Sequence, residues 1–191
     1  MDRSASARRA SGAVRLVIES GVTRFEHRVL DAGGRPCGAL RLPPHRAGTG
    51  DTVLDDADSD PRRPEIAVGA DRYRIEYDVV RTRRIGPSDL RFSLLRGGSD
   101  RRCETARVEV RPKRRVRRLS VPAGRFDLVQ RHNRFRLCFM VRSAGGADDV
   151  GTIVETTRLL GKRTFEIEMP SAIDTPAQIF AFFVALKGTH R

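Results

Sequence analysis

The segment from Thr175 to Lys187 constrains this chain more than any other stretch. Ile179-Phe180-Ala181-Phe182-Phe183-Val184-Ala185-Leu186 runs without a polar side chain. Thr175 stands where an N-cap is expected, Pro176 at the first helical position and Gln178 at the capping-box site. Lys187-Gly188 supplies a cation and a stop at the far end. A helix that is apolar on every side must be buried on every side. At roughly 18 Å it is too short to cross a bilayer. Its large side chains are worth about 9–18 kcal/mol if fully enclosed, an upper bound because unfolded chains are already partly compact. The rest of the chain must therefore supply an enclosure. A buried strand, or a helix laid on one sheet face, remains the alternative reading of the segment.

The upstream sequence is patterned for strands. Val14, Leu16 and Ile18 alternate with Arg15, Val17 and Glu19. Tyr73, Ile75, Tyr77 and Val79 face one way, and Arg72, Arg74, Glu76 and Asp78 the other. The same alternation returns at Phe25–Leu30, Phe92–Leu94, Val108–Val110, Phe126–Leu128, Phe135–Val141 and Phe165–Met169. Turn signals such as Asp31-Ala32-Gly33-Gly34, Gly97-Gly98-Ser99-Asp100, His132-Asn133 and Ala144-Gly145-Gly146 separate these runs. About twelve strands result, with no helical periodicity between them. A mainly β fold follows: an antiparallel closed barrel enclosing an apolar C-terminal helix. Residues 1–12 read as a disordered lead-in. Residues 13–191 form a single domain, with a polar, Asp-rich loop at 43–64 and the central helix at 175–187.

Two units of the sequence echo each other. Phe25 through Gly34 to Gly38-Ala39-Leu40 parallels Phe135 through Gly146 to Gly151-Thr152-Ile153. With Phe165-Glu166-Ile167-Glu168-Met169-Pro170 leading into the apolar helix, this order of elements resembles the tubby C-terminal-like superfamily. That group includes tubby-like proteins, phospholipid scramblases and LURP-one-related proteins. The resemblance runs from about residue 13 to the end and rests on degenerate motifs. It implies a closed barrel threaded by its last helix, and binding of phosphoinositide head groups or association with membranes. The membrane-embedding, calcium-binding and palmitoylated segments of the scramblases have no counterpart here, which argues against scrambling. No lipid-binding residue of the family aligns to a particular position.

The chain carries 37 basic against 24 acidic residues, a net charge of +13, with only Lys113, Lys162 and Lys187 as lysines. An Arg-rich composition also follows from a GC-rich genome, so the charge by itself does not establish an anionic partner. The basic residues do cluster. Arg81, Arg83 and Arg84 end one strand, and Lys113, Arg114, Arg115, Arg117 and Arg118 follow Pro112. Arg131, Arg134 and Arg136 flank Asn133. Guanidinium groups suit phosphate oxygens. The first two clusters, Arg81, Arg83, Arg84, Lys113, Arg114, Arg115, Arg117 and Arg118, are the candidate anion- or lipid-binding residues. Alternation puts Arg115 with Arg117 on one face, and Val116 with Arg114 and Arg118 on the other. If Val116 points inward, so do two arginines, and that conflict is left open.

Catalytic signatures are lacking: there is no G-x-S-x-G, P-loop, G-x-G-x-x-G or H-E-x-x-H. Asp55-Asp56 and Asp148-Asp149 read as solvated loop acids and His132 as a turn residue. Cys37, Cys103 and Cys138 are widely spaced, and neither they nor the four histidines show metal-ligand spacing. The expectation is a non-enzymatic binding module without cofactor or metal, cytoplasmic or at most peripheral to a membrane, that takes anionic phospholipid head groups or a membrane surface. The competing expectation is a nucleic-acid-binding or protein-partner-binding barrel. Strand-based single-strand binders interleave cations with exposed aromatics, whereas Tyr73 and Tyr77 alternate as core residues do, and the chain has no tryptophan.

Overall fold

The computed structural model describes residues 13–20, 25–43, 63–81, 89–97, 103–110, 116–131, 136–146, 148–159 and 162–187. Twelve strands precede one helix. They are β1 (Ala13–Ser20), β2 (Glu26–Leu30), β3 (Pro36–Arg41), β4 (Glu65–Val68), β5 (Asp71–Arg81) and β6 (Asp89–Arg96). Then come β7 (Cys103–Val110), β8 (Val116–Val121), β9 (Gly124–Gln130), β10 (Cys138–Ser143), β11 (Asp149–Leu159) and β12 (Lys162–Pro170), followed by α1 (Thr175–Lys187). Each strand pairs antiparallel with the next. β1 closes the ring by pairing with β12, from Ala13↔Pro170 to Glu19↔Thr164. The result is the expected closed barrel, in which every described strand has a partner on both sides.

Twelve strands about 4.8 Å apart and tilted as barrels require make a ring roughly 24 Å across. Strand side chains alone fill a barrel of about eight strands. The wider ring needs a filler, and α1 is it. Every residue from Pro176 to Ala185 is buried. Partners stand on all sides of the helix. Phe182 meets His27 of β2 and Phe165 of β12, Phe183 meets Phe92 of β6, and Val184 meets Arg117 of β8. The inward line of each strand completes the core: Leu16 and Ile18, Val29, Leu40, Ile66, Ile75, Leu94, Val108, Leu119, Leu128, Phe139, Ile153 and Ile167.

The helix spans the expected residues 175–187, and only its cap differs from the sequence reading, by one residue. Asp174, not Thr175, is the N-cap: its Oδ1 accepts the Ala177 N–H at 3.1 Å, and its carbonyl accepts the Gln178 N–H at 3.0 Å. Either side chain can cap, and the turn after Pro170 decides between them, with Ile173 N–H bonded to Pro170 O. Gln178 reaches back to donate to Ile173 O at 2.7 Å. Pro176 then occupies the second position, where its missing N–H is still of no consequence.

The echo between the two hairpins has a structural counterpart. Gly38 pairs with Val29 and Gly151 with Val141, and in each case the register shifts immediately beyond that pair. Neither position has room for a side chain. A Cβ on Gly151 would lie 2.3 Å from Glu168 O. One on Gly38 would lie 2.8 Å from Ala67 O and 3.4 Å from Ile179 of the helix. These glycines let the backbone approach its neighbour closely where the strand kinks. Residues 1–12 and 44–62 of the expected lead-in and polar loop lie outside the described residues.

Candidate functional site

The two ends of the barrel are chemically unlike. At the end where the helix begins, tight turns hold their charges in pairs. Asp31 accepts from Gly33 N–H and Arg35 N–H and pairs with Arg35. Arg96 bonds Asp71 at 2.7 Å, and Arg142 bonds Asp149 at 2.6 Å. The hydrogen bonds from Arg35 and Gly33 also hold the Asp31 carboxyl below its ordinary range.

The other end, where the helix finishes, gathers the exposed apolar side chains. Among the described residues the large hydrophobic groups open to solvent are Phe25, Tyr77, Val79, Val80 and Val116. Phe25 leads into β2, Tyr77, Val79 and Val80 end β5, and Val116 opens β8, so all five belong to this rim. The local cause is strand length. β4 has four residues and reaches only Arg74 of β5. Beyond Ile75, which still donates to Pro64 O, β5 is paired with β6 alone among the described residues. The overhanging hairpin leaves Val80 51% exposed. Tyr77 continues the inward line to the mouth, its ring 5.8 Å from Phe92, and Phe92 stands 6.0 Å from Phe183 of the helix.

Two cations sit in the same mouth with no carboxylate against them among the described residues. Arg117, 5% exposed, donates from Nη1 to Val184 O at 2.5 Å and lies over the Phe139 ring, 4.6 Å from its centroid. Burial lowers its pKa to about 10, which leaves it charged at neutral pH. Lys187, in the last turn, stands 6.0 Å from the Phe183 ring centroid, and burial lowers its pKa too. Val184 O is among the four carbonyls that a helix leaves unpaired at its C-terminus, the negative end of the helix dipole. The cations thus match the helix end as well as the rim.

Deeper at the same end is a third polar group. Glu155, 2% exposed, accepts from Arg163 Nε at 2.7 Å, from Arg163 Nη2 at 2.9 Å and from Leu137 N–H at 3.1 Å. His27 lies nearby with neither ring nitrogen hydrogen-bonded, edge-on to Phe182 at 6.0 Å. Burial chiefly, with help from the Arg163 charge, lowers the His27 pKa to about 4, so the ring is neutral at physiological pH. Alternation alone marks His27 as inward, between Phe25 and Val29. Nothing in the sequence marks Glu155 as Arg163's partner.

The basic residues named from sequence divide. Arg83, Arg84, Lys113, Arg114 and Arg115 lie outside the described residues. Arg81 is the last residue of β5. Arg118 faces outward within 3.5 Å of Asp127, and Arg117 faces inward. The conflict left open on β8 is thereby decided: Val116 is the outward residue, 37% exposed, and Arg117 shares the inner line with Leu119. The physical reason is the helix end. A free carbonyl inside the barrel holds a guanidinium there more favourably than an apolar side chain. Arg117 is accordingly a helix cap, with its reach taken up inside the barrel rather than offered to a ligand.

Among the described residues no group of His, Cys, Asp or Glu converges so as to hold a metal ion, and no helix is long and apolar enough to cross a membrane. Searches of family models, curated proteins and solved structures give no match to this chain.

Proposed function

We propose that this chain is a non-enzymatic binding module for anionic phospholipid surfaces, acting through the rim at the C-terminal end of its helix. One observation carries the reading: the exposed apolar side chains of the described barrel all belong to a single rim, the one at which the helix ends in Lys187. Apolar groups set around a cation suit the boundary between head groups and acyl chains, where burial and attraction to anionic lipid act together. The net charge of +13 works in the same direction. The resemblance of the sequence to the tubby-like superfamily adds independent weight.

Cosedimentation with vesicles tests this. The chain should bind phosphatidylcholine–phosphatidylserine or phosphatidylcholine–phosphoinositide vesicles and not phosphatidylcholine alone, and binding should weaken as salt is raised. The double variant Val79→Asp/Val80→Asp should lose binding while keeping the wild-type unfolding transition. No vesicle binding, or binding unaffected by that variant, overturns the reading. A DNA-shift series in the same salts that gave the tighter association would favour nucleic acid instead.

A further inference from the structure

The apolar groups of the rim are spread around the ring, and their spacing carries information about orientation. Phe25 leads into β2, Val79 and Val80 end β5, and Val116 opens β8. In a closed ring of twelve strands in sequence order, β2 and β8 are six strands apart and face each other across the barrel, with β5 midway between them. A flat surface laid along the barrel wall can meet β2 or β8 but not both. Only a surface across the end of the barrel reaches all three.

From this spacing, and resting on the lipid-surface reading above, we propose that the barrel docks end-on. Its axis stands on an anionic bilayer, with the helix C-terminus toward the lipid and the paired-charge turns held away. Charge supports the bilayer as the occupant. Lys187 lies in the docking mouth without a carboxylate against it among the described residues, and Glu26 at that rim is answered by Arg41. Asp31, Asp71, Asp149 and Asp174 all lie at the opposite end. Asp78, exposed on the outer face of β5, and Asp89, which opens β6 opposite Arg81 at the same rim, oppose the attraction. The contact is shallow: a few side chains at the head-group level on three sides, with the barrel wall clear of the acyl region.

The absence of tryptophan gives a clean test, since every indole emission signal comes from an introduced reporter. Single variants Phe25→Trp, Val80→Trp and Val116→Trp report on the docking rim. Ala123→Trp and Ala172→Trp report on the exposed turns of the opposite end. Each is mixed with phosphatidylcholine–phosphatidylserine vesicles whose acyl chains carry bromine, a contact quencher. End-on docking predicts loss of most emission at residues 25, 80 and 116 together, and no loss at 123 or 172. Quenching at only one of residues 25 and 116 means side-on docking. It overturns this proposal and leaves the lipid reading standing, as does quenching at 123 or 172, or binding without quenching anywhere. Failure of the wild-type chain to cosediment removes the lipid reading and this orientation with it.

Discussion

Arg117 Nη1 lies 2.5 Å from the carbonyl oxygen of Val184, joining the barrel wall to the last turn of the helix it encloses. The contact is charge-assisted, buried, and directed at a carbonyl the helix cannot pair for itself. Because the guanidinium also covers Phe139, removing it leaves both a cavity and an orphaned acceptor. Arg117→Ala should cost about 2–4 kcal/mol of unfolding free energy. Arg117→Met keeps most of the volume, so its smaller loss of about 1–3 kcal/mol isolates the unpaired carbonyl. Urea titrations of the three proteins check both values. A methionine variant as stable as the wild type would show that the carbonyl is satisfied some other way.

At the opposite end of the helix, Asp174→Ala should destabilise by about 1 kcal/mol through loss of the N-cap, with Thr175→Ala near neutral. The same titrations measure both. The reverse order would restore Thr175 as the cap.

Gly151 is held by space rather than by its dihedral angles. A methyl group there would meet Glu168 O at 2.3 Å, so the pairing of β11 with β12 must shift to admit it. Gly151→Ala is expected to lose about 1–3 kcal/mol, the range of overpacking in a tight core, and to lower the thermal midpoint. Gly38→Ala should follow with a smaller loss, because its closest contact is longer.

His27 makes stability depend on pH. Its folded-state pKa of about 4 lies below the ordinary 6.5, so as pH falls the unfolded chain takes up the proton first. The stability contributed by the neutral ring is complete above about pH 6.5, declines between 6.5 and 4, and levels off below that. The total is on the order of 3 kcal/mol. His27→Phe removes the titration. The difference in unfolding free energy between wild type and variant should therefore change across that window and stay flat above it. A difference that stays constant from pH 7 to pH 4 would mean that the ring is not held neutral.

The sequence by itself determined the kind of object this is. Period-two alternation fixes strand after strand, because one face of each must be dry. The unbroken apolar run at 179–186 fixes a helix that has to be enclosed, and together these leave a closed barrel around a filler. Gly38 and Gly151 were legible as shared features of two hairpins, though not the reason for them, which is the approach of Ala67 and Glu168 from neighbouring strands. Tertiary structure decided what alternation cannot. The faces of β8 are set by a carbonyl of a helix 67 residues away in sequence, which draws Arg117 inward and turns Val116 out. The exposed rim depends on the shortness of β4 beside β5, and on barrel closure bringing the ends of β2, β5 and β8 to the same end of the barrel. Both are relations between distant segments. They act through paired backbone and buried charge, and a linear pattern of polar and apolar residues records neither.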